Sequence, residues 1–121
     1  MNPPPAPLID WDQLDAIADG WPEDFLAIFR EFVRDLPSDF EAAGTAIAKA
    51  DAAALKRHAH QAKGSAANFG FEGVRACALA MEDASKAGDF AAAAESLAAA
   101  RQAFVAGLAE VTARVPVCRG T

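Results

Sequence analysis

The chain has 121 residues, enough for one modest hydrophobic core and too few for two. Hydrophobic residues make up 53% of it, much of that alanine, which favours closely packed helices over sheet. A net charge of −6 argues against nucleic acid or an anionic membrane surface as partner, and no apolar run is long and charge-free enough to span a bilayer.

Residues 1–8 form a proline-rich leader, with neither the basic nor the apolar region of a signal peptide. With its own Met1, the leader points to a stand-alone protein in the cytoplasm. Cys77, on an apolar helix face, and Cys118, in the tail, are no disulfide framework and fit a reducing compartment.

The domain proper spans residues 9–115. A short helix runs from Asp10, its N-cap, to about Ala18, with Gly20 just beyond. Pro22 falls in the first turn of a second helix, where Phe25, Ile28, Phe29, Phe32, Val33 and Leu36 repeat at helical spacing. Pro37 is expected to kink or restart that helix, with Phe40 and Ile47 carrying the apolar stripe on to about Lys49.

Asp51 caps a third helix that runs to Phe69 and stops at Gly70. A fourth covers about Glu72 to Ala87 and ends at Gly88. Asp89 caps the fifth, whose core face is Phe90, Leu97, Phe104, Leu108 and Val111. Residues 116–121 are a tail bounded by Pro116. Nothing alternates with period two, and the connections are short. The expected fold is all-α, an up-down antiparallel four-helix bundle with a short N-terminal accessory helix.

The third helix has two dissimilar faces. Leu55, Ala59, Ala62, Ala66 and Phe69 share a core-facing stripe, and His60 lies about 140° from it. Around His60 stand Lys56, Lys63, Gly64 and Ala67. Glycine costs about 1 kcal/mol against alanine inside a helix, so Gly64 needs a reason. Close approach of another protein to His60 supplies one, and lysine charge suits an anion there. Lys63, one turn on, is placed to meet the oxygens of a phosphoryl group in transfer.

His60-Gln61-Ala62-Lys63-Gly64-Ser65-Ala66, closing on Phe69-Gly70, resembles the signature of histidine-containing phosphotransfer domains. Val74, Cys77, Ala78, Met81 and Glu82 are similar to that family's run on the following helix, and Gly20 to Phe25 to its entry into a phenylalanine-rich helix. The resemblance covers about Ile9 to Val111. It implies a carrier phosphorylated on His60, with Lys63 as electrostatic stabiliser and Gly64 as access residue. It further implies exchange with aspartates of response-regulator receiver domains, which supply Mg²⁺ and most of the catalytic machinery, and a hybrid histidine kinase as a further partner. The chain itself is expected to need no cofactor or metal, to lack kinase activity of its own and to be a monomer.

Lys56, Ala67, Gln61, Glu82 and Lys86 are the secondary candidates for binding. Glu82 and Lys86, however, are i, i+4 and also read as a pair bridging each other on a solvated face. Gln61 and Ser65 point to the side of the helix, and Ser65 reads as a small packing residue. His58 diverges by about 200° from His60, so one ion cannot take both, and it reads as a boundary residue. Two rival functions remain: a non-phosphorylated docking module, and a metal or cofactor bundle, which would need repeated Glu-x-x-His ligands absent here.

Overall fold

The computed structural model describes residues 7–116. Within them are five helices: α1 (Trp11–Ala18), α2 (Glu23–Ala48), α3 (Ala52–Asn68), α4 (Glu72–Ala87) and α5 (Phe90–Arg114). Helices α2 to α5 pack in a ring, each against its chain neighbours, and α5 returns to α2. The described residues form a four-helix bundle with an accessory helix, and no strand occurs among them. Most of the leader and all of the tail beyond Pro116, Cys118 included, lie outside the described residues.

Aspartates start three of the helices. Asp10, Asp51 and Asp89 each place Oδ1 on the backbone N–H three residues on, at 3.2, 3.0 and 3.0 Å. Each such cap is worth about 1 kcal/mol by satisfying a helix-end donor. Pro22 is the N-cap of α2, one position earlier than expected.

Pro37 does not restart the helix: α2 is continuous over Glu23–Ala48 with Pro37 inside it. Pro37 is exposed while Leu36 and Phe40 beside it are fully buried, so packing on the inner face holds the helix through the lost hydrogen bond. A second departure concerns Ile28, which is 52% exposed. It lies about 75° off the stripe centred on Phe25, Phe29, Phe32 and Leu36, too far round to reach the core. Phe90 and Leu108 are only half-buried, and Val111 is fully buried.

A phenylalanine cluster fixes the end of α3. Phe32 stacks on Phe69 with centroids 4.4 Å apart, and Phe71 meets Phe32 edge-on at 5.0 Å. Such pairs add about 0.5–1.5 kcal/mol beyond area burial. Gly70 turns the chain with φ 73°, and a Cβ there would lie 2.7 Å from the Asp10 carbonyl oxygen. Only glycine fits both the left-handed backbone and that approach. The contact matters because Asp10 N–H donates to the Gly70 carbonyl at 2.7 Å and Gln13 Nε2 donates to the Asn68 carbonyl at 3.2 Å, tying α1 to the end of α3. Trp21 adopts φ 61°, a strained value for a residue with a Cβ. Its ring packs edge-on against Phe25 and Phe29 at 5.1 and 5.2 Å, closing that end of the bundle.

Candidate functional site

The site lies along the seam of α3 and α4. Leu55, Ala59, Ala62 and Ala66 are buried, as the stripe requires, and so turn the opposite face of α3 outward. His60 emerges from that face with 68% of its side chain exposed. Gly64 and Ala67 are exposed beside it on the same face, and a Cβ built on Gly64 would meet nothing within 4 Å. The helix therefore offers open space one turn from the imidazole.

Glu82 of α4 organises the site. Its Oε2 lies 2.9 Å from His60 Nδ1, and its Oε1 accepts from Lys63 Nζ at 2.6 Å. Only 6% of the carboxylate side chain is exposed, against 27% for Lys63. Burial raises the cost of its charge, but the Lys63 ammonium first and the His60 contact second outweigh it and hold the carboxyl below its ordinary value. A buried carboxylate is retained as an anion because both its oxygens have partners. The Glu82 carboxylate accepts a hydrogen bond from Nδ1–H, which keeps the proton on Nδ1 and leaves Nε2 with the free lone pair. This assignment of the proton follows from the hydrogen-bond network.

The reading of Glu82 and Lys86 as a mutual pair on a solvated face is therefore wrong. On α4 Val74, Ala78, Met81 and Ser85 form the middle of the buried arc, with Gly73 and Ala84 buried on one side of it. Glu82 sits about 60° from the centre of that arc, on its α3 side, and Lys86 about 40° farther round. Lys86 is exposed in the last turn, where its charge suits the helix C-terminus, and no hydrogen bond or ion pair joins it to His60, Lys63 or Glu82 among the described residues. The sequence does carry a trace of Glu82's burial, because Glu82 follows Ala78 at i+4 and so falls at the edge of the arc that packs.

On the other side of His60, Ala53, Lys56, Arg57, Gln61 and Glu82 line with it a shallow, open concavity. Lys56 and Gln61, both foreseen, are joined there by Arg57. Ser65 faces the other way and lines a groove against Phe32, Leu36 and Asp39 of α2. His58 is half-buried on that flank, and its Nδ1 is buried without a hydrogen-bond partner among the described residues. Asp39 is close enough to His58 to feel its charge, although burial dominates and raises the Asp39 carboxyl. No group of three or more His, Cys, Asp or Glu side chains among the described residues is arranged to hold a metal ion.

A four-helix bundle that displays one imidazole, oriented by a buried carboxylate and flanked by lysine and bare backbone, defines a class of helical phosphotransfer modules. The profile of the Hpt domain matches residues 27–114, most of the chain, and the chain belongs to that family. The Hpt domain is a phosphotransfer module of two-component systems. No curated protein and no solved structure matches the chain.

Proposed function

We propose that this protein carries a phosphoryl group on His60 and exchanges it with aspartates of response-regulator receiver domains, as an intermediate in a phosphorelay. The observation that carries this reading is an imidazole 68% exposed whose Nδ1 lies 2.9 Å from Glu82 Oε2, which leaves Nε2 as the free nitrogen. In the forward step the Nε2 lone pair attacks phosphorus of an aspartyl phosphate. An N–P bond forms, the acyl P–O bond breaks, and aspartate leaves as carboxylate. The ring becomes a phosphoimidazolium that keeps its Nδ1 proton, and the Glu82 carboxylate offsets that cationic charge. Lys63, already drawn to the site by Glu82, meets the transferring oxygens. Gly64 and Ala67 leave room for the receiver. Lys56, Arg57 and Gln61 line the concavity beside the acceptor and contact the incoming partner.

The protein needs no cofactor of its own in this scheme, since Mg²⁺ belongs to the receiver. A hybrid histidine kinase is the source of phosphoryl groups upstream. No helix among the described residues is long and apolar enough to cross a membrane.

Incubation with a panel of phosphorylated receivers tests the reading. His60→Gln should abolish acid-labile, alkali-stable labelling while circular dichroism shows the bundle intact, and His58→Gln should retain most of it. Labelling that survives in His60→Gln would overturn the assignment. A wild-type chain that binds receivers without becoming labelled would instead be a docking module.

A further inference from the structure

The seam of α2 and α5 lies opposite the α3–α4 seam that carries His60, because the four helices pack in a ring. Here the bundle is not closed. Leu26, Phe29, Val33, Leu108 and Thr112 floor an apolar groove of about 330 Å³, with Arg30 and Arg34 along its α2 side. Val33 and Leu108 are only half-buried, and Val105, one turn before Leu108, is 68% exposed. Arg34 reaches Asp35 at 3.1 Å, but both side chains are mostly exposed and such a pair contributes about 0–1 kcal/mol, so its charge remains available.

We propose that this groove docks an amphipathic helix of a partner protein whose apolar stripe is flanked by aspartate or glutamate. Two observations choose that occupant. The groove is bounded by two arginines on a chain of net charge −6, so an acidic partner is drawn to this side and repelled from much of the remaining surface. A second copy of this chain is a poor occupant. Its exposed large apolar residues among those described are Ile28, Leu79 and Val105, which lie on three different helices and form no stripe, and each copy carries the same −6. The floor from Leu26 to Val33 spans about two helical turns, which suits a helix laid into the groove by i, i+3 and i+7 anchors. A helix held there leaves His60 uncovered, so the protein can stay attached to one protein while it exchanges phosphoryl groups with another.

The probe is a pair of synthetic helical peptides with one leucine stripe, flanked by glutamates in the first and by lysines in the second. Amide shifts of the labelled full chain should respond to the acidic peptide at Leu26–Arg34 and Leu108–Thr112, with little change around His60. The exposed pair Arg30→Glu, Arg34→Glu should weaken the acidic peptide at least about tenfold and favour the lysine peptide, with receiver-driven labelling of His60 unchanged. Binding weaker than about 1 mM, equal affinity for both peptides, or shifts elsewhere would overturn the proposal. So would a concentration-dependent dimer that buries the same seam. Labelling of His60 is read separately, so failure of the groove and failure of the phosphotransfer reading are distinguishable.

Discussion

His60 Nδ1 and Glu82 Oε2, 2.9 Å apart, join an exposed imidazole to a carboxylate buried between two helices. The burial of one partner gives direction to the other. An imidazole on an open helix face would otherwise sample rotamers freely, and here one nitrogen is pinned while the other is left free.

Because Glu82 also binds Lys63, removing either partner should harm the other. Lys63→Ala leaves a buried carboxylate with half its neutralisation gone, and should destabilise the fold by about 1–3 kcal/mol. Transfer should slow by about tenfold to a thousandfold, the scale of one transition-state contact. Glu82→Gln in the same chain should recover most of the stability but not the rate. Urea denaturation and single-turnover transfer of the two single variants and the double variant check this, and additive stability losses would mean the two side chains are not coupled.

Acid should reveal the same carboxylate. Lys63 chiefly holds Glu82 below its ordinary value of 4.5, so the folded chain keeps the anion where the unfolded chain would take up a proton. That contribution is complete above about pH 4.5 and fades as pH falls through the lower folded value. Glu72, held down by Arg75, acts in the same sense, whereas Asp39, pushed up by burial, acts in the opposite one. Glu82→Gln should therefore lose less melting temperature than wild type on acidification from about pH 6 to about pH 3. Parallel Tm–pH curves would contradict the linkage.

Gly64 separates folding from access. Gly64→Ala should stabilise by up to about 1 kcal/mol, since the helix gains propensity and the Cβ meets nothing. Gly64→Gln should keep the melting temperature yet slow exchange with receivers, and leave phosphorylation by phosphoramidate nearly unchanged. Equal slowing with both donors would show that Gly64 shapes the imidazole rather than the approach to it.

Pro37 is a cost that the core carries. Its side chain is exposed and α2 runs through it, so Pro37→Ala restores a backbone hydrogen bond without opening a cavity. A gain of about 1–3 kcal/mol is expected in chemical denaturation, with phosphotransfer unaffected. A loss of stability would mean that the proline ring packs usefully.

Sequence periodicity carried most of the fold because it depends on burial alone. The alanine stripe of α3, the phenylalanine stripe of α2 and the three aspartate caps each follow from local chemistry. His60, Lys63 and Gly64 share a face by the same arithmetic. Glu82 was among the binding candidates, but its partner was misread because Lys86, the nearest basic residue in sequence, offered a local pair, while the true partners stand 19 and 22 residues earlier on another helix. Pro37 does not restart the helix for the opposite reason: a strong local rule was overridden by the burial of Leu36 and Phe40 on the inner face. The groove between α2 and α5 is a property of how two helices splay, and no single helix records it.

The tie between Asp10 and Gly70 bears on where this domain can be cut. The family profile begins at residue 27, inside α2, but packing begins at Leu8, which lies against the core, and includes Leu14, which is wholly enclosed. A fragment trimmed to the boundaries of similarity would start partway along a helix. It would lose Trp21 and Phe25 from the aromatic cluster and leave the Gly70 carbonyl and the inner side of Phe29 and Phe69 facing water. Kinship and foldability thus draw different borders on the same chain, and excision that respects the second must keep the first helix.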